Sequence, residues 1–216
     1  MNKHKVMIAV PAMDSVASPF AQCLAMLKSD YETKIAMQLS SLVYESRNQL
    51  AMQAIGDNCD HVLWFDSDMV FAPDTLNYMM AKMYEANIDI ISGIYFRRKE
   101  PFTPVLFDHL QVNENGKKWW HNSETVPDEL TKVEGIGFGC VLMKTSVLID
   151  VYAEYGTLFS PLDGLGEDLS FCWRARQCGH DIWVDPSITL GHVGTMTVTK
   201  AFFDNFKQAN KAVDGE

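Results

Sequence analysis

An α/β domain built on a mostly parallel sheet is the fold class this sequence predicts, and three observations predict it. Short apolar runs, KVMIAV at 5–10 and HVLWF at 61–65, are strand-length and have no polar face, as strands buried on both sides require. Segments with helical spacing fall between such runs, so strand and helix alternate from Lys5 to Ser92. From 94 to 135 the pattern changes: Pro, Gly, Asn and aromatic residues become denser, which predicts a small antiparallel edge instead of another strand–helix unit.

Taken in order, KVMIAV is ended by Pro11 and reads as a buried strand. Ser18-Pro19 opens a helix, with serine at the cap and proline at the first position, where an amide would lack a partner anyway. A second strand is expected around Lys34–Leu42. Glu45–Ile55 has apolar spacing of three and four and is expected to close as a helix near Gly56. HVLWF is the third strand. Pro73-Asp74 starts a helix running to about Glu85, and Ile88–Ser92 (IDIIS) gives a fourth strand. Short strands are expected in the edge region at 103–107, 117–120 and 131–134. A helix over 144–152, a polar loop, a helix over 167–178 ended by Gly179, a strand at Ile182–Val184 and an amphipathic helix from Lys200 to about Ala209 complete the chain. No repeat, low-complexity tract or linker interrupts it. Residues 1–216 are expected to form one domain.

The composition, 47% hydrophobic and 21% charged, supplies an ordinary globular core. A net charge of −10 argues against a nucleic-acid footprint, although Arg97-Arg98-Lys99 is a local basic patch. The start, MNKHKVMIAVPAMD, resembles a signal peptide only superficially. Its apolar run stops at Pro11 and no small-residue cleavage site follows, so a first core strand is the better reading. No apolar segment approaches the roughly 18 residues that span a bilayer, and a cytoplasmic location without a transmembrane segment is expected. The five cysteines are scattered and form no CxxC pair, which predicts reduced thiols instead of disulfides or a zinc site.

Asp66-Ser67-Asp68 follows the third strand directly. Ligands of open α/β sheets bind at the carboxyl ends of strands, and two carboxylates at this spacing can both face a hard cation such as Mg²⁺ or Mn²⁺. With 17 Asp in the chain, about one Asp-x-Asp arises by chance, so position and not spacing carries the signal. The bland alternative is a turn whose aspartates cap the next helix. Glu167-Asp168 opens a helix after a glycine-bearing loop. The pair suits a helix dipole as well as a catalytic role, and the glycines favour close approach to a ligand. His192 stands between glycines in Leu190-Gly-His-Val-Gly, exposed enough for a metal or phosphate contact, although a lone histidine is more often structural. Arg47-Asn48 lies early in a helix, where the arginine could reach a phosphate or merely face solvent.

Taken together, "HVLWFDSDMVFAPDTL", "IISGIYFRR", "VEGIGFGCVLM" and "GEDLSFCWRARQCGHDIWVDPSITLGHVG" resemble the GT-A fold glycosyltransferases, particularly the short stand-alone family-2-like enzymes of bacteria and phages. The resemblance implies a Rossmann-like GT-A sheet and transfer of a sugar from a nucleotide-diphosphate sugar, a UDP-sugar being favoured, to an acceptor hydroxyl. It implies that Pro11, Ala12 and Asp14 hold base and ribose, that Arg47 lies near the pyrophosphate, and that Asp66, Ser67 and Asp68 meet the nucleotide-sugar. Asp66, Asp68 and His192 would bind Mn²⁺ or Mg²⁺, with Asp68 the surest ligand. Gly137 and Phe138 would border the acceptor cavity, and Glu167-Asp168 matches the acidic pair that supplies the general base of inverting members. The acceptor itself is not legible. The chain lacks the Gln-x-x-Arg-Trp motif of processive polysaccharide synthases.

Four alternatives stand beside this reading. A retaining transferase would use Asp168 only to position substrate. A haloacid-dehalogenase-like phosphatase would use Asp66 and Asp68 in Asp-Ser-Asp-Met-Val, but that motif usually follows the first strand, and here two strand–helix units precede it. A sugar nucleotidyltransferase needs a Gly- and Arg-rich loop after the first strand, which PAMDSVASPF does not supply. A carbohydrate-binding module could use Trp119-Trp120 but has no need of the acidic pairs.

Overall fold

A computed structural model describes residues 4–112, 115, 118–195 and 197–214 of the chain. The amino-terminal half is a run of strand–helix units: β1 (Lys5–Ala12), α1 (Ser18–Met26), β2 (Glu32–Leu39), α2 (Val43–Gly56) and β3 (His61–Phe65). A short β4 (Met69–Val70) leads into α3 (Thr75–Glu85) and β5 (Ile90–Ile94). The edge excursion holds β6 (Leu106–Val112), β7 (Lys118–Asn122), β8 (Thr131–Val133) and β9 (Gly135–Ile136). Then come β10 (Cys140–Lys144), α4 (Thr145–Tyr155), α5 (Glu167–Gln177), β11 (Ile182–Thr189), β12 (Gly191–His192) and α6 (Lys200–Asp214).

Seven strands make one sheet in the order β2-β1-β3-β10-β5-β11-β8. β1, β2, β3, β5 and β11 are parallel, while β10 and the edge strand β8 are antiparallel to their neighbours. The small antiparallel sheet β7-β6-β9 forms the predicted edge, and a second small antiparallel sheet, β12-β4, lies outside it and was not expected. All five residues of β3 are buried, as its unbroken apolar run requires. Val62 and Trp64 face one core layer, and Leu63 and Phe65 face the other. Each such side chain contributes about 1.5–3 kcal/mol by leaving water.

Three details depart from the sequence expectations. The largest is β10, a fully central strand that pairs with both β3 and β5; its five residues run straight into α4, and so short an apolar run is indistinguishable from the start of a helix. β11 extends well past Val184, carried over Pro186 by an irregularity between Asp185 and Thr189. The first helix is capped by Ala17, with Ser18-Pro19 inside its first turn. Of the strand expected at 117–120, residue 117 lies outside the described residues.

Candidate active site

The carboxyl ends of the parallel strands converge on one side of the sheet. Pro11 and Ala12 end β1, Asp66–Asp68 leave β3, Tyr95 leaves β5, and His192 follows β11. Because β10 is antiparallel, its beginning arrives at this same side, and Gly139 carbonyl accepts the Asp66 amide at 3.2 Å. Backbone bonds pin the rest of the acidic turn. Ser67 carbonyl accepts from Ala17 at 2.9 Å, and Asp68 carbonyl accepts from Val193 at 2.8 Å. Asp66 and Asp68 are therefore fixed by three separate elements before any ligand arrives.

Arg47 reaches the site because it sits on the core-facing stripe of α2, Ser46-Arg47-Leu50-Ala51-Ala54, whose spacing of three and four faces the sheet. It is 2% exposed, and its guanidinium lies 5.2–5.9 Å from the ring centres of Trp64, Phe138 and Phe159. It donates to Asp66 Oδ1 at 2.7 Å and approaches Glu167 Oε1 at 3.7 Å. Burial opposes its charge, but Asp66, Glu167 and Asp168 outweigh burial and raise its proton affinity further. Its Nη1 has no hydrogen-bond partner among the described residues. A buried cationic donor left unsatisfied costs free energy that an anionic ligand would recover.

On the far wall, Asp68 Oδ2 accepts from Arg98 Nη1 at 2.7 Å, and Asp68 Oδ1 faces His192 Nε2 at 3.5 Å. Burial works against ionising Asp68, yet His192 and Arg98 hold its carboxyl below the ordinary range. His192 Nδ1 lies 2.9 Å from the Phe96 carbonyl, an acceptor only, so Nδ1 carries a proton and Nε2 is the atom presented to the site. The bond to Asp68 raises the His192 proton affinity against the effect of burial. The His192 ring also meets Tyr95 edge-on at 5.4 Å.

Pro11, Ala12, Arg47, Asp66, Ser67, Asp68, Glu167 and His192 line a single cavity of about 370 Å³. The sequence had left out its remaining walls: Met13, Ser40, Ser41, Val43 and Arg98. Of these, Arg98 alone had a visible signal, as part of the basic run 97–99. The other expected residues lie elsewhere. Asp14 is exposed and accepts a bond from Ser15 Oγ at 3.0 Å. Phe138 is 1% exposed inside the aromatic cage. Gly137 and Gly139 leave no room for a Cβ beside the Tyr95 ring, so this glycine run is the seat of Tyr95, whose hydroxyl accepts from Gly139 N–H at 3.1 Å.

Asp168 begins α5 next to Glu167, and its Oδ1 accepts the Leu169 amide at 2.7 Å. It is not among the residues that line the 370 Å³ cavity. Burial first, and Glu167 second, raise its carboxyl to about 6, against the pull of the Leu169 amide and Arg47. A carboxylate of that proton affinity is ionised at neutral pH yet basic enough to accept a proton.

No protein-family model matches the sequence. Among solved structures, the chain is similar to "A197 from STIV", with a TM-score of 0.60 at 20% identity over 89% of this chain and 86% of that one. It is also similar to "GalNAc-T7 with UDP, GalNAc and Mn2+", with a TM-score of 0.60 at 9% identity over 90% of this chain and 44% of that one. The fold is GT-A. The cavity lies where strand β3 ends and the acidic turn begins. Among the described residues no group of three or more His, Cys, Asp and Glu side chains is placed to hold a metal ion. No helix among them is long and apolar enough to cross a membrane.

Proposed function

We propose that the chain is a metal-dependent glycosyltransferase that moves a sugar from a nucleotide-diphosphate sugar, a UDP-sugar being favoured, to an acceptor hydroxyl with inversion. The observation that carries this is the convergence of Arg47, Asp66, Asp68, Glu167 and His192 on one cavity of the GT-A sheet. Pro11 and Ala12 take the base and ribose end, joined by Asp14 in the loop beyond. Arg47, which lines the cavity, faces the diphosphate, and Asp66 and Ser67 meet the ribose and diphosphate.

The donor set fits Mn²⁺ or Mg²⁺. Two ligands each about 2.1 Å from one such cation lie about 3 Å apart, and Asp68 Oδ1 and His192 Nε2 already face each other at 3.5 Å. His192 is oriented for this by the Phe96 carbonyl. An incomplete protein shell is usual for these cations, which take their remaining ligands from substrate phosphates and water; Asp66 lies alongside. The cation's chemistry is to neutralise the charge that grows on the departing diphosphate.

Asp168 is the general base. The acceptor oxygen forms a bond to the anomeric carbon as the carbon–phosphate oxygen bond breaks, and the hydroxyl proton passes to the Asp168 carboxylate. Glu167, paired to Arg47, keeps the buried guanidinium in place and supports the loop. Gly137 serves the acceptor side by seating Tyr95, while Phe138 backs Arg47 on the donor side.

Calorimetry of UDP, GDP, CMP and dTDP with Mn²⁺ and with EDTA tests the reading. One diphosphate is expected to bind, and to do so only with the cation, because the acidic cavity otherwise repels it. Equal affinity in EDTA would count decisively against it.

A further inference from the structure

Beside the donor cavity, and sharing Arg98 and His192 with it, lies a larger cavity of about 590 Å³. Tyr95 and Val105 supply apolar lining, and Arg97, Arg98 and Lys99 set three cations against the one carboxylate of Glu100. These four charges belong to one loop that its own backbone closes. Arg97 N–H donates to Thr103 carbonyl at 3.0 Å, Phe102 N–H donates to Lys99 carbonyl at 2.9 Å, and Phe96 pairs with Pro104. Arg97 is steadied by Asn122 Oδ1 on β7, and Arg98 by Asp68. Lys99 has no ion-pair partner among the described residues.

The contrast between the two cavities is informative. The donor side holds the carboxylates Asp66, Asp68 and Glu167. The adjoining side holds consecutive cations, in a chain whose net charge is −10. A neutral sugar would draw little from this concentration of positive charge, whereas a phosphate offers acceptors to a guanidinium and an ammonium at once. We propose that this cavity receives the acceptor, and that the acceptor carries a phosphate ester gripped by Arg97 and Lys99. The inference rests on the transferase reading and deepens it by naming the acceptor class.

The test fills the donor cavity with UDP and Mn²⁺, then measures binding of glucose 1-phosphate and glycerol 3-phosphate against glucose and glycerol by calorimetry. Cosedimentation with phosphatidylcholine vesicles, with and without phosphatidic acid, covers a lipid-borne phosphate. At least one phosphate-bearing probe is expected to bind tenfold or more tighter than its neutral counterpart. A soluble or a vesicle hit supports the same chemistry and tells which source supplies it. Arg97→Ala with Lys99→Ala, at two exposed positions, is expected to abolish the preference while UDP affinity stays within twofold; Lys99→Glu alone is expected to reduce it sharply. No preference for any phosphate probe would overturn the inference, as would a preference that survives the double variant. An equal loss of UDP affinity would also overturn it, because the cavity would then belong to the donor. Failure of every nucleotide diphosphate to bind the wild-type chain is a separate result that sinks the transferase reading. A phosphate preference found in that case would refute the acceptor role.

Discussion

Replacing Asp168 with Asn is expected to make the protein more stable above neutral pH while removing its activity. Folding raises this carboxyl from an ordinary 3.8 to about 6. A group with raised proton affinity is held best while protonated, so its contribution to stability declines as pH climbs from 3.8 through about 6. At about 1.4 kcal/mol for each tenfold change in proton affinity, ionising Asp168 in the folded chain costs about 3 kcal/mol at pH 8. Asn cannot ionise, and its Oδ1 still accepts the Leu169 amide, which Asp168 binds at 2.7 Å. Urea unfolding of both proteins in EDTA at pH 4 and pH 8 is the assay. The advantage of the Asn variant is expected to grow by about 2 kcal/mol between them, since part of the cost is already present at pH 4. Turnover is expected to fall at least a hundredfold, within the usual range of about 10² to 10⁴ for a general base, with UDP affinity unchanged. A stability difference that does not move with pH would refute the account of the buried carboxyl. An active Asn variant, or a product that keeps the donor's anomeric configuration, would refute its role as base.

Other perturbations read the remaining parts of the site. Arg47→Met strips the central cation from three carboxylates and is expected to destabilise the fold by about 3–5 kcal/mol, measured by denaturation at pH 7; a loss under 1 kcal/mol would show that Arg47 does not organise them. Asp68→Ala is expected to remove most of the Mn²⁺ enhancement of UDP binding and His192→Ala a smaller part, both read by calorimetry. Because Asp68 raises the proton affinity of His192 and a cation needs the neutral imidazole, Mn²⁺ affinity in the UDP complex is expected to rise between pH 6 and pH 8, and a flat profile would exclude His192 as a ligand. Gly137→Ala puts a methyl against the Tyr95 hydroxyl and Val105; thermal melting is expected to register about 1–3 kcal/mol of overpacking.

The strand–helix units were legible because their signals are local: an unbroken apolar run for β3, and spacing of three and four for α2. The acidic turn was legible for the same reason, since a strand end followed by two carboxylates is a feature of neighbouring residues. What the sequence could not express was the placement of residues far apart along it. Nothing near Asp68 indicates that Arg98, thirty residues on, would close on its carboxylate. The run Gly135–Gly139 invites a reading as a ligand-binding loop, yet Gly137 and Gly139 are needed because the Tyr95 side chain packs against them, and Gly135 because Leu169 does. The burial of Arg47 was hidden by chemistry: an arginine is ordinarily a surface residue, and the carboxylates of Asp66 and Glu167 with the rings of Trp64, Phe138 and Phe159, all from other segments, make its interior position tenable.

The central place of β10 also bears on how the chain comes to fold as it is synthesised. β3 and β5 are both made well before Cys140–Lys144; β3 must wait for that strand with one backbone edge unpaired, and β5 with both, because its other neighbour β11 follows later still. Apolar edges left open in this way are where nascent chains associate with one another. A chain halted before Phe138 would retain the loop after β1, its Arg47 helix and its two aspartates, and still have no assembled site. The Asp66 amide would lack the Gly139 carbonyl that holds it, and the cage around Arg47 would lack Phe138 and Phe159.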